Sequence, residues 1–149
     1  MEDKEIKVLI FGLNGEYYAT DILDVERILG YEQPTEMPDV PKFVEGVINH
    51  ENKILPIINL AKKFNFQPNE KNDQTKIIVI KNDSKKFGII VDNVYEVTDV
   101  DYSLFEEAPT ITTTISKRFI KGLIKLDEKI IILLNIVNIL TEEEEEQIF

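Results

Sequence analysis

The chain has 149 residues, 43% hydrophobic and 30% charged, the balance of a folded globular domain rather than a disordered one. Acidic residues outnumber basic ones 28 to 17, and the net charge of −11 argues against non-specific nucleic-acid binding, which needs a basic footprint. There is no cysteine, hence no disulfide and no thiolate chemistry.

Residues 1–4 open no signal peptide, and no apolar run approaches the ~20 residues of a membrane span. A cytosolic chain without membrane insertion is expected. Residues 5–13 (EIKVLIFGL) read as a strand that is apolar on both faces from Val8 onward and therefore buried. Asn14-Gly15 is a hairpin turn because both residues tolerate positive φ, and residues 17–21 return as the second strand. Ile22, Val25 and Ile28 suit helix or strand by spacing; the β-branched residues of a later matching segment favour strand with an irregular turn. Pro34, Pro38 and Pro41 impose an extended loop on residues 33–41.

Residues 43–60, FVEGVINHENKILPIINL, hold two β-rich runs (44–48 and 54–58) around a polar turn, a hairpin pattern. Pro56 within the second run points to an edge strand or a bulge. One helical turn follows at 60–64, then a polar linker over 65–74. Asn82-Asp83-Ser84 reads as a turn.

The hairpin returns at residues 119–136, FIKGLIKLDEKIIILLNI, without a gap. Phe43/Phe119, Gly46/Gly122, Ile48/Ile124, Lys53/Lys129, Ile54/Ile130 and Asn59/Asn135 are identical pairs. Ile22, Val25 and Ile28 likewise fall on Val91, Val94 and Val97, so the second copy carries extra residues within the polar stretch 98–118. Two copies are too few for a solenoid. The expected fold is all-β: two pseudo-repeated small β-barrels packed together in one domain of residues 1–149, since closure removes sheet edges. The units are residues 5–66 and 75–140, with strand exchange between them left open. Residues 108–114 are Thr-rich and expected to be exposed. Residues 141–149 form an acidic helix or tail, in which Thr141 and Glu144 can make a capping box and Glu142 to Glu146 present a solvated face.

A search for chemistry finds no catalytic, cofactor or metal-binding set. His50 is the sole histidine and sits in a polar turn; a plain turn residue is the simpler reading, and an enzymatic role requires that it line a cleft. Ser84, Ser103 and Ser116 fall in loops, and there is no G-x-S-x-G elbow. Neither a Walker A nor a G-x-G-x-x-G motif is present, and Asp99 and Asp101 read as a loop with two acids. The chain is expected to work through its surface, without enzymatic activity and without a cofactor.

A series of motifs spans nearly the whole chain: Phe11-Gly12-Leu13 with Glu16-Tyr17-Tyr18-Ala19; Ile22, Val25 and Ile28; Thr35-x-Met37-Pro38-x-x-Pro41-x-Phe43-Val44-x-Gly46-Val47-Ile48-Asn49; Ile54-Leu55-Pro56-Ile57-Ile58-Asn59-Leu60. Phe87-Gly88-Ile89-Ile90-Val91-Asp92-x-Val94 and the second hairpin complete it. This series closely resembles the CheW-like family of chemotaxis coupling proteins. The resemblance implies two SH3-like five-stranded barrels with short helical turns and a short C-terminal helix. It also implies an adaptor that couples the regulatory domain of a CheA-type histidine kinase to the cytoplasmic tips of chemoreceptors, recruited to membrane-associated arrays. By the same resemblance, Gly46, Val47, Ile48 and Asn49 correspond to the kinase contact, and Val25, Arg27, Ile28, Glu51, Gly88 and Val94 to the receptor contact. No receiver or kinase domain accompanies these motifs in the chain.

Two positions depart from the family pattern. An acidic residue is usual where Arg27 stands, and Arg-Gly is usual where Glu51-Asn52 stand. Acid and base have traded places, which reads either as an Arg27–Glu51 ion pair of reversed polarity or as independent drift of two surface residues. The alternatives to a main coupling protein are a specialised paralogue serving another kinase–receptor pair and a ligand-sensing module with a pocket between the barrels.

Overall fold

The computed structural model of the chain describes residues 4–83, 85–107 and 117–149. The Thr-rich segment 108–114, Ser84 and Ser116 lie outside the described residues. The first copy contributes β1 (Glu5–Leu13), β2 (Glu16–Asp21), a 3-10 turn (Ile22–Asp24), β3 (Val25–Gly30), β4 (Val44–His50), β5 (Lys53–Asn59) and α1 (Leu60–Lys63). The second contributes β6 (Lys76–Asn82), β7 (Lys85–Val91), β8 (Asn93–Asp101), β9 (Phe105–Glu106), β10 (Ile120–Leu126) and β11 (Lys129–Leu134). One more helix, α2 (Glu142–Ile148), follows. The class is all-β, as the alternating and β-branched runs predict.

Local chemistry accounts for the corners. Asn14 and Gly15 both take positive φ, 54° and 81°, which matches the twist of a two-residue hairpin. Asp21 accepts from the Leu23 N–H (2.9 Å) and so starts the 3-10 turn before β3. Asp101 does the same for Ser103 (2.8 Å) at the end of β8. Asp99 and Asp101 therefore belong to a strand paired with β1 and not to a loop.

The strands form two sheets, ordered β8-β1-β2-β11-β10-β9 and β3-β6-β7-β5-β4. Exchanging each strand for its repeat counterpart converts one order into the other, apart from β9. Each sheet takes strands from both copies: β3 of the first pairs with β6 of the second, and β8 of the second pairs with β1 of the first. Even the irregularities recur. The ladder slips at Glu26 in β3 and at Tyr95 in β8, the matching positions.

Pro56 does not lie on an edge: β5 runs between β7 and β4. It faces Val47, whose N–H and C=O both bond Thr35 (2.9 and 2.8 Å). The Val47–Pro56 pair is thus a non-hydrogen-bonded one, and the parallel ladder to β7 begins only at Ile57, so no ladder donor is lost.

Three cores result. Val8 and Ile10 of β1 enter one inside the six-stranded sheet, with Val100, Ile124 and Ile131. Ile77 and Val79 of β6 enter its counterpart inside the five-stranded sheet, with Ile48, Leu55 and Ile57. The opposite faces of the same strands, Leu9, Phe11 and Leu13 with Ile78 and Ile80, meet in a central core shared by both sheets. A strand buried on both faces must be apolar throughout, which explains the unbroken run from Val8.

Gly46 has φ +140°, and a Cβ there would collide with the backbone carbonyl of Thr35. At Gly122 the Glu106 carbonyl of β9 stands 3.0 Å from the Cβ site. Both glycines let a flanking segment seal the outer edge of the hairpin.

Helix α2 is not merely solvated. Thr141 and Glu144 form the capping box, with the Glu144 N–H donating to the Thr141 hydroxyl (3.0 Å) and the Thr141 N–H to the carboxylate (2.9 Å). Both Glu144 oxygens accept from Lys63 Nζ at 2.8 Å. Lys63 lies over the rings of Phe43 (4.5 Å) and Phe119 (5.4 Å), two equivalent residues of the repeat, so one ammonium ties both copies to the C-terminal helix. Burial pushes the Glu144 carboxyl up, but hydrogen bonds from Lys63 and the Thr141 N–H outweigh it and hold it below its ordinary value.

Gly46→Ala should lower unfolding stability by about 3 kcal/mol, from the strained φ and the carbonyl overlap. Gly122→Ala, with no positive φ, should cost about 1 kcal/mol; urea titrations of the two variants check the order. A depressed carboxyl adds stability that is complete above the unfolded-state pKa and is lost as pH falls through the folded one. The wild type should therefore lose more stability on acidification below the usual glutamate range than Glu144→Gln, and the two curves should converge in acid.

Candidate functional site

The five-stranded sheet curls until its two edges meet. β3 and β4 stand at opposite ends of the strand order, yet Arg27 Nη2 lies 3.6 Å from Glu51 Oε1, and His50 Nε2 lies 3.6 Å from Glu26 Oε2. The Arg27–Glu51 pair is therefore present, with both side chains more than half exposed, and contributes at most about 1 kcal/mol.

The bulge in β3 and the β4–β5 turn bring this cluster together. Glu26 is the unpaired bulge residue, and a bulge re-aims the side chain it inserts. Glu51 and Asn52 take positive φ (52° and 65°) to reverse the chain, which places the Glu51 carboxylate 3.9 Å from His50 Nε2. Lys86, near the start of β7, donates to Glu26 Oε1 at 2.6 Å. That hydrogen bond holds the Glu26 carboxyl below its ordinary value, and the same contact raises Lys86. His50 is not a plain turn residue: it ends β4, and its side chain is only 10% exposed.

The residues that the resemblance assigns to the receptor divide. Arg27, Ile28 and Glu51 are exposed and neighbouring. Val25 and Val94 lie at the margin of the central core, half-buried on different sheets. Gly88 is buried, and a Cβ there would stand 2.7 Å from both Ile57 and Ile77. Of the four assigned to the kinase, Gly46 and Ile48 are buried, Val47 is half-buried, and Asn49 is exposed.

His50 and Glu51 of this cluster line a groove of about 570 Å³ together with Val47, Leu55, Pro56, Met37, Ile54 and Phe149, so His50 does line a cleft. Ile54 is 71% exposed, a large apolar residue at a hairpin tip. Lys53, Lys85 and Lys86 rim the groove, a basic border on an acidic protein. Glu26, Lys86 and Phe149 were not singled out in the sequence, and Met37 only as a member of the motif series. The available signal was the repeat itself: where the first copy has Glu26, His50 and Glu51, the second has Tyr95, Leu126 and Asp127, which line a smaller pocket of about 270 Å³.

An all-β double sheet with an exposed apolar groove and a charged edge is a domain built for protein contact. The model of the CheW-like domain matches residues 7–144. The chain is 37% identical over 136 residues to the chemotaxis protein CheW of Klebsiella aerogenes, covering 91% of this chain and 82% of that one. It is 33% identical over 132 residues to that of Bacillus subtilis, covering 89% and 83%. The crystal structure of the scaffolding protein TtCheW from Thermoanaerobacter tengcongensis superposes with a TM-score of 0.80 at 37% identity, over 87% of this chain and 88% of that one. The chain belongs to the CheW-like domain family. No helix among the described residues is long and apolar enough to cross a membrane.

Proposed function

We propose that the chain is a non-enzymatic chemotaxis adaptor, located in the cytoplasm. It joins the regulatory domain of a CheA-type histidine kinase to the cytoplasmic tips of chemoreceptors. The observation that carries this reading is the pairing of family membership with two exposed surfaces on one curled sheet. One is the outer β4 hairpin near Asn49, beside the groove and Ile54. The other is the β3 edge with Arg27 and Ile28 and the Glu51 turn that Arg27 reaches. Surfaces on one rigid sheet suit a coupler, because two partners are then held at a fixed separation. The division of Gly46 through Asn49 to the kinase and of Val25, Arg27, Ile28, Glu51, Gly88 and Val94 to the receptor is part of the proposal. The buried members, Gly88, Gly46 and Ile48, act by shaping the contact surface and not by touching the partner.

The reversed Arg27–Glu51 pair adds specificity more than affinity, since exposed charges chiefly select partners and set encounter rates. Calorimetric titration with the regulatory domain of the host's own kinase should give micromolar binding. Asn49→Arg should weaken it at least about tenfold (~1.4 kcal/mol) without moving the melting temperature. Arg27→Glu or Glu51→Arg alone should weaken binding of the receptor tip, while the double reversal restores it. Absence of kinase binding at both low and moderate salt contradicts the adaptor reading; equal, negligible effects of the three charge variants contradict the specificity role.

A further inference from the structure

We propose that Glu26, His50 and Glu51 form a binding site for a divalent transition-metal ion, with Zn²⁺ the best fit. One ligand atom from each residue lies within 4.8 Å of the other two. His50 Nε2 is 3.6 Å from Glu26 Oε2 and 3.9 Å from Glu51 Oε1. In a tetrahedral site with bonds of ~2.0–2.1 Å, neighbouring donors stand roughly 3.4 Å apart, so the two His50 edges need only a few tenths of an ångström, and the Glu26–Glu51 edge, within 4.8 Å, closes as Glu51 moves inward. These separations are too long for hydrogen bonds.

A second observation is independent of the spacing. His50 is nine-tenths buried, and its Nε2 and Glu26 Oε2 are both shielded from solvent without a hydrogen-bond partner. Buried polar atoms almost always pair, and these two point at each other across a gap of ligand size. Lys86 occupies the other Glu26 oxygen, which leaves Oε2 as the donor that faces the site. Glu51 sits on a turn with its side chain half exposed, so it can move inward, and the fourth position opens to water.

The donor chemistry selects the ion. One imidazole with two carboxylates suits Zn²⁺ and its neighbours, whereas Ca²⁺ and Mg²⁺ favour all-oxygen shells. The fold does not demand this set, because the equivalent corner of the second copy holds Tyr95, Leu126 and Asp127, with a single carboxylate. Lys86 and Arg27 are positive neighbours, and their charge limits the affinity to the micromolar range. Bound metal would clamp β3 to the β4–β5 turn and draw Glu51 from Arg27, which links metal occupancy to the exposed charge pair.

The test uses the full-length, tag-free chain after chelator treatment, titrated calorimetrically with Zn²⁺ in a non-coordinating buffer. One equivalent should bind with micromolar Kd and raise Tm, and Co²⁺ at the same site should give a visible d–d spectrum. His50→Gln and Glu26→Gln should each weaken binding by at least about tenfold. Lys86→Met, which removes a neighbouring cation, should tighten it. Glu51→Gln is the control against misfolding, because its side chain is exposed; it too should weaken binding. The chain has one histidine and no cysteine, so retained affinity in His50→Gln would assign the ion to surface carboxylates and overturn the proposal. No saturable binding by the wild type would overturn it as well, and would leave the cluster as a polar network around His50. Neither result decides the adaptor reading, which rests on family membership and is tested by kinase and receptor-tip binding; Glu51 alone belongs to both proposals.

Discussion

The third strand of each copy is hydrogen-bonded to the first strand of the other, and the rest of the molecule depends on that exchange. A free hairpin of residues 5–21 would expose two unpaired edges and half of its apolar side chains. Pairing of β8 with β1 and of β3 with β6 covers one edge of each hairpin and buries both faces of the central strands. Each of the three cores then draws on strands of both copies, and neither copy keeps a complete core alone. Such a chain should unfold as one unit, since each sheet is built from strands of both copies.

The exchange also sets the functional surface. β3 ends one edge of the five-stranded sheet and β4 the other, and curvature brings them together at Arg27, Glu26, His50 and Glu51. The corresponding corner of the six-stranded sheet holds Tyr17, Tyr95 and Leu126 among Glu96, Asp127 and Lys129, with Tyr17 and Tyr95 in contact at 5.1 Å. Backbone symmetry supplies two equivalent corners, and side chains specialise them. One sets His50 and Glu51, next to Glu26, at the wall of an apolar groove; the other is a smaller pocket with two tyrosines among charged side chains. Lys63, between the Phe43 and Phe119 rings, performs the same kind of asymmetric task on the pseudo-twofold: one cation, two equivalent rings, one helix to anchor.

Much of this could be read from residue pattern. The repeated Phe-x-x-Gly hairpin, the Asn14-Gly15 turn and the Thr141/Glu144 cap are local signals, and local signals survive folding unchanged. Tertiary pairing decided the rest. Pro56 reads as an edge marker until its partner Val47 is seen to bond Thr35 instead. Glu145 reads as solvated until Lys85, sixty residues earlier, is found 3.0 Å away. His50 reads as a turn residue because Glu26, on a bulge in a strand at the far edge of the sheet, gives no sign in sequence of pointing back at it. Bulges and sheet curvature are collective properties, and no single window of residues contains them.

Coupling requires that kinase and receptor occupy the chain together. If, as proposed, the kinase takes the Asn49 side of the hairpin and the receptor the β3 edge at Arg27 and Ile28, the two partners should not compete. The most direct measurement is sedimentation velocity on the chain mixed with the kinase regulatory domain and a soluble receptor-tip fragment, each also tested pairwise. A ternary species heavier than either binary complex is the predicted result. Displacement of the kinase domain by the receptor fragment, with only binary complexes at saturation, would contradict the account.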